Sequence, residues 1–202
     1  MANNQLAKEE IEALLATPGK VRGVVFQTDA EYVRSKKGEE GVLAVEEELK
    51  KLGCPLDYRN IKAISWYPIG LRVISLLVIK NILGLEDKDI EEMGNLAPKY
   101  SLIVKLLMKY FLSPKTTLRE SPKYWMKHYD FGMLEVHEYN EKEKRMSVRI
   151  KEYKTHPIVC IFHKGYFLRM AQYVIKSQKI GIEETKCVYR GDPYHEYTVT
   201  WK

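Results

Sequence analysis

The sequence predicts an α+β fold, with a helical N-terminal part packed on a four-stranded antiparallel sheet whose strands come in β-β-α-β-β order. Three observations carry this. Over the first two-thirds, apolar residues recur at helical spacing or run almost unbroken. Near Gly132 the period changes to two. A proline-initiated apolar stretch after His156 then separates two strand pairs, so the sheet needs helices to cover its face.

Leu6, Ile11, Leu14 and Leu15 form the first helical stripe, which Pro18-Gly19 stops. Val21 to Phe26 reads as a short strand. Thr28 and Glu31 have capping-box spacing and open a short helix. Val42, Val45, Leu49 and Leu52 mark another, ended by Gly53. Pro68 sits in a first helical turn, and Ile69 to Leu83 is apolar on most sides. A second such helix is expected from Tyr100 to Leu112. Ser121-Pro122 opens a short helix carrying Trp125 and His128. Leu134 and Val136, then Met146, Val148 and Ile150, alternate with polar residues on either side of Asn140 to Lys144, which makes a hairpin. Pro157 opens a helix to about Lys176. Gly181 to Tyr189 and His195 to Trp201 are strands joined by Arg190-Gly191-Asp192-Pro193. No linker or repeat divides the chain. The expectation is one domain over 1–202, mainly helical over 1–131, with the sheet and long helix over 132–202.

Composition excludes several classes. Apolar residues at 45% and charged residues at 30% suit a folded chain. The net charge of +6 comes from basic residues spread among acidic ones, so the clustered phosphate footprint of a nucleic-acid binder is missing. Three cysteines do not make a disulfide scaffold. The polar start and the charges inside Ile69–Leu85 argue against a signal peptide or a membrane span, so a cytoplasmic location is expected. No Gly-rich phosphate loop, nucleophile elbow or H-E-x-x-H occurs, and the chain reads as a non-enzyme.

The C-terminal hairpin holds the most informative chemistry. Centred on Gly191, it sets Cys187 opposite His195 within a residue or two, with paired Cβ atoms roughly 4.5–5.5 Å apart. Cys160 lies in the first turn of the helix after Pro157, and His163 shares its face. Strand alternation puts Glu183 on the face of Cys187, whereas Glu184 needs a bulge to reach it. Two thiolates, an imidazole and a carboxylate would make a closed, structural zinc site. Ordinary packing of buried cysteines is the competing reading.

At these residues the segment from His156 to Trp201 resembles the 4-vinyl reductase domain. That domain is related to the heme-NO-binding (H-NOX) domain and to the TRAPP tethering subunits. The matching strings are Cys160 to Tyr166, Glu184-Thr185-Lys186-Cys187 and Gly191 to Tyr197, with Tyr129-Asp130-Phe131-Gly132 at the entry to this half. The resemblance implies zinc ligands at Cys160, Glu184, Cys187 and His195. The last departs from the family pattern, where Cys stands in place of His. It thus prefers Glu184 where strand parity prefers Glu183. Heme relatives need a His on a helix before the sheet and a Tyr-x-Ser-x-Arg string. The expected helix Tyr100–Leu112 has no His and the string is absent, so heme is not expected.

The combined expectation is a sensor or carrier that holds a small hydrophobic or aromatic molecule, or a lipid, between helices and sheet, with structural zinc. Tyr100, Tyr110, Trp125 and Tyr166 are candidate polar groups for its pocket. As a signalling module it would act as a homodimer or with a protein partner. A scaffold domain without ligand is the alternative.

Overall fold

A computed structural model describes residues 6–101, 104 and 113–202. Its elements in chain order are α1 (Lys8–Leu15), β1 (Lys20–Arg22), α2 (Val24–Lys51), β2 (Trp66–Pro68), α3 (Ile69–Leu83), α4 (Asp87–Tyr100), α5 (Pro114–His128), β3 (Met133–Asn140), β4 (Arg145–Lys151), α6 (Pro157–Val174), β5 (Ile180–Lys186) and β6 (His195–Trp201). The antiparallel sheet has the order β3-β4-β6-β5, and β1 pairs separately with β2. The fold is α+β, as the patterning indicates.

Several elements differ from expectation. The strand expected over Val21–Phe26 stops at Arg22, and Val24 begins a helix. Periodicity cannot separate a short apolar strand from a buried helical segment. The two helices expected around Thr28 and Val42 form one kinked element, broken at Gly38 with φ 67°. Thr28 does not cap a helix; its hydroxyl donates to the Val25 carbonyl. Helix α4 was not expected; its polar first turn is set by a cap in which the Glu86 N–H donates to Asp89 at 2.8 Å. Helix α5 begins before Ser121-Pro122, since Ser113 accepts the Thr116 N–H and Pro114 fits the first turn. The expected helix Tyr100–Leu112 lies outside the described residues apart from Tyr100, Ser101 and Val104.

Helix α6 starts where the sequence places it: Pro157 occupies the first turn and His156 Nδ1 accepts the Ile158 N–H at 3.1 Å. It crosses α4 closely. A Cβ on Gly165 would collide with the Glu91 carbonyl, and one on Gly94 with the Phe162 carbonyl, so only glycine permits this approach. Arg169 ties the crossing by donating from Nε to the Asn95 carbonyl at 3.0 Å. Val73, Ile74, Leu76 and Ile79 of α3 are fully buried, as is Arg72 among them. Among the described residues no helix is long and apolar enough to cross a membrane.

Candidate functional site

Four side chains from three elements converge where α6 meets the last hairpin. Cys160 comes from the first turn of α6, Glu184 from β5, Cys187 from just after β5 and His195 from the start of β6. One donor atom from each lies within 4.8 Å of all the others. Local geometry explains the convergence. The Cys187 N–H donates to Asp192 at 2.8 Å, and Gly191 with φ 92° turns the chain back toward His195. The register of β5 on β6 shifts between Glu184 and Lys186. That bulge adds one residue, so Glu184, and not Glu183, shares the face of Cys187.

The polar groups in this cluster crowd on one another. His195 Nε2 donates to the Tyr153 carbonyl at 2.9 Å. Its Nδ1 lies 3.7 Å from Cys160 Sγ and 3.4 Å from Glu184 Oε1. Glu184 Oε1 is buried with no hydrogen-bond partner among the described residues. Burial raises the Cys160 thiol pKa, and Glu184 and Cys187 raise it further. Burial likewise raises that of Cys187. For Glu184, burial opposes the charge, yet His195, Cys187 and Arg190 outweigh it and hold the carboxyl below its ordinary range. Two sulfurs, a carboxylate oxygen and an imidazole nitrogen this close together form a donor set that a cation placed among them would satisfy.

A second feature lies nearby. An apolar pocket of about 150 Å³ opens between α5, α6 and the inner face of the sheet, walled by Leu118, Trp125, His128, Val148, Phe167 and Met170 among others. Trp125 and Tyr166 line it as expected; Tyr110 lies outside the described residues, and Tyr100 packs on the core instead. From α3, expected as a wall, Arg72 reaches the pocket while its apolar neighbours fill the core.

At the inner end of the pocket is a buried polar cluster that composition and spacing did not reveal. Arg72 Nε donates to Asp29 Oδ2 at 3.3 Å and Nη1 to the Tyr129 hydroxyl at 3.1 Å. That hydroxyl lies 3.2 Å from His163 Nε2. Having accepted from Arg72, it donates to His163. The one available signal was Arg72 in the first half of a mostly apolar helix, where Ile69, Leu71, Val73 and Ile74 surround it in sequence.

Burial, followed by the charges of Arg72 and His195, holds the His163 pKa well below its ordinary value. The unfolded chain then takes up a proton near pH 6.5 that the folded chain refuses. Stability therefore falls as pH drops through that range, by up to about 1.4 kcal/mol per pH unit for this group. Melting curves between pH 7.5 and 5.5 are expected to show the drop, and His163→Gln to flatten it. An unchanged slope in the variant would assign the effect elsewhere.

No family model matches the chain, and no curated protein does. Solved structures do. An H-NOX protein from S. oneidensis in the Fe(II)NO ligation state matches with TM-score 0.67 and 14% identity, over 90% of this chain and 99% of that one. A variant H-NOX from T. tengcongensis matches with TM-score 0.64 and 15% identity, over 90% and 97%. A structure bearing on heme distortion in the H-NOX family matches with TM-score 0.64 and 14% identity, over 90% and 95%.

These matches correct three expectations. The 4-vinyl reductase assignment rested on a C-terminal stretch; the whole-chain matches are to H-NOX domains instead. The zinc-bearing, heme-free carrier of a hydrophobic molecule or lipid is overturned, because the matched proteins are described with heme or its iron. The absence of heme, expected because Tyr100–Leu112 has no His and no Tyr-x-Ser-x-Arg string occurs, is the third, since the matched proteins are described with heme or its iron. The helix that enters the sheet is α5, and it ends on His128 in the pocket wall. What the matches establish is architecture: the chain has the fold of the H-NOX domains.

Proposed function

We propose that this chain is a heme-dependent gas-sensing domain, with the apolar pocket as the site that would take heme and His128 as the residue that would hold its iron. The observation that carries the reading is the state of His128. Its Nδ1 donates to the Tyr124 carbonyl at 2.9 Å, which leaves the lone pair on Nε2. Burial lowers its pKa, so the ring is neutral near pH 7. A neutral imidazole oriented by a carbonyl is the donor that iron takes. The Nε2 of His163, the other histidine of the pocket wall, is engaged by Tyr129.

The residues present thus fit heme in donor chemistry. An open volume of about 150 Å³ admits a benzene-sized molecule. A macrocycle therefore displaces wall side chains, of which Met170 is unbranched and yields readily. Heme, when bound, supplies an iron able to take a diatomic gas. The protein's part is to hold the iron through His128, to exclude water with Trp125, Val148 and Phe167, and to relay the occupied state to a protein partner. This reading assigns the chain no catalytic step.

Stoichiometric hemin added to the purified protein is expected to give a Soret band, and His128→Ala to weaken binding by at least about 100-fold. Absence of that band in protein expressed with excess heme would defeat the reading.

Cys160, Glu184, Cys187 and His195 are proposed as a separate structural cation site. Four protein donors fill a tetrahedral cation and leave no position for substrate. The ion would fasten α6 to the last hairpin.

A further inference from the structure

We infer that the corner formed by the β1–β2 ribbon and the last turn of α5 docks on an anionic lipid surface, with apolar tips entering the headgroup region and lysines meeting the phosphates. Ile64 is 76% exposed, Met126 72% and Trp66 37%, and none of them lines the apolar pocket. Single exposed apolar residues are ordinary, but a group of them rimmed by polar residues marks an interaction surface. Arg22 makes these three a group. Its Nη1 donates to the Ile64 carbonyl, its Nε donates to the Lys127 carbonyl at 3.1 Å, and its guanidinium lies 3.7 Å over the Trp66 ring. Met126 adjoins Lys127 in the chain and shares a helix face with Lys123. The turn bearing Ile64 is fastened from below: the Gly23 N–H donates to the Ser65 carbonyl at 2.9 Å and the Val24 N–H to the Ala63 carbonyl at 3.0 Å. Ile64 is therefore held outward.

The charge around these tips is basic. Lys62, Lys123 and Lys127 are exposed. Glu120 is shared between Lys123 and Arg119, at 3.0 Å from each, so one carboxylate answers two cations. Asp130 accepts the backbone N–H of Lys20, another exposed basic residue. Each lysine near an anionic bilayer strengthens binding by roughly fivefold. Tryptophan and the long stems of lysine seat at the boundary between water and hydrocarbon. An acidic protein would share the charge attraction. Protein interfaces seat their anchors in fitted pockets, however, whereas these side chains project from a turn and a helix face. That projection favours the lipid. Contact of this kind is interfacial and reversible, and it does not depend on heme.

The test is co-sedimentation of the full chain with vesicles of phosphatidylcholine alone and with about 30% phosphatidylserine. Wild type is expected to bind the anionic vesicles at least about tenfold more tightly than the neutral ones, and to release them as salt rises. Ile64→Asp/Met126→Asp and Lys123→Glu/Lys127→Glu should each weaken that binding by at least about tenfold. All four positions are exposed, so both variants should melt as wild type does. Lys142→Glu/Lys144→Glu, in the turn at the far end of β3, makes the same change in net charge and should leave binding intact. Soluble polyglutamate separates the other partner. If it binds at this corner while vesicles do not, the surface belongs to an acidic protein and the lipid inference falls. No binding to anionic vesicles, equal binding to neutral ones, an unaffected Ile64→Asp/Met126→Asp variant, or equal weakening by Lys142→Glu/Lys144→Glu would each overturn it as well.

Discussion

Cys187→Ser is expected to release a bound cation and to lower the melting temperature by about 10 °C. The four donors join three segments: the first turn of α6, the end of β5 and the start of β6. Where a preformed site exists only in the folded state, the binding free energy of the ion is folding free energy, about 10–16 kcal/mol in small zinc-bound peptides. Losing one thiolate forfeits part of that, here taken as about 4 kcal/mol. A chain of this size shifts by about 2–4 °C per kcal/mol. Elemental analysis should accordingly show one ion per chain in wild type and none in the variant, and a chelator should lower the wild-type midpoint toward it. If the cysteines only pack, the same change costs about 1 kcal/mol and a chelator does nothing. That result would remove the site. The two thiols are held above their ordinary pKa in the free protein, so ion binding must also release protons and weaken in acid.

Gly165→Ala is expected to destabilise the chain by about 3 kcal/mol, against the sign that helix propensity predicts. On an isolated helix the change would gain about 1 kcal/mol. At this crossing the added carbon meets the backbone carbonyl of Glu91 and the backbone nitrogen of Asn95, neither of which can rotate aside. The helices must separate, at the upper end of the usual overpacking cost. Urea denaturation measures it. The consequence reaches function, since α6 carries Cys160, His163 and the pocket residues Phe167 and Met170. Wild-type stability or better in this variant would mean that α4 and α6 do not touch at Gly165.

Much of the cation cluster was legible because its determinants are local. A glycine turn at Gly191 brings Cys187 and His195 together, and Pro157 sets Cys160 in a first turn. Which glutamate joins them was not settled by strand alternation, because one bulge at Thr185 reverses parity. The pocket cluster was illegible for the opposite reason. Asp29, Arg72, Tyr129 and His163 come from four separate parts of the chain, and each alone looks like an ordinary polar residue.

The sequence by itself determined the α+β class, the two strand pairs around a proline-started helix, and the four candidate donors near its end. Periodicity and turn chemistry act over a few residues, so one chain suffices to read them. Only the tertiary structure decided that α5 delivers His128 to the pocket, that α4 and α6 meet backbone to backbone at Gly94 and Gly165, and that Asp29, Arg72, Tyr129 and His163 share one buried hydrogen-bonded cluster. Each of these depends on which surfaces lose water together, and burial is a property of the assembled layers rather than of any one segment.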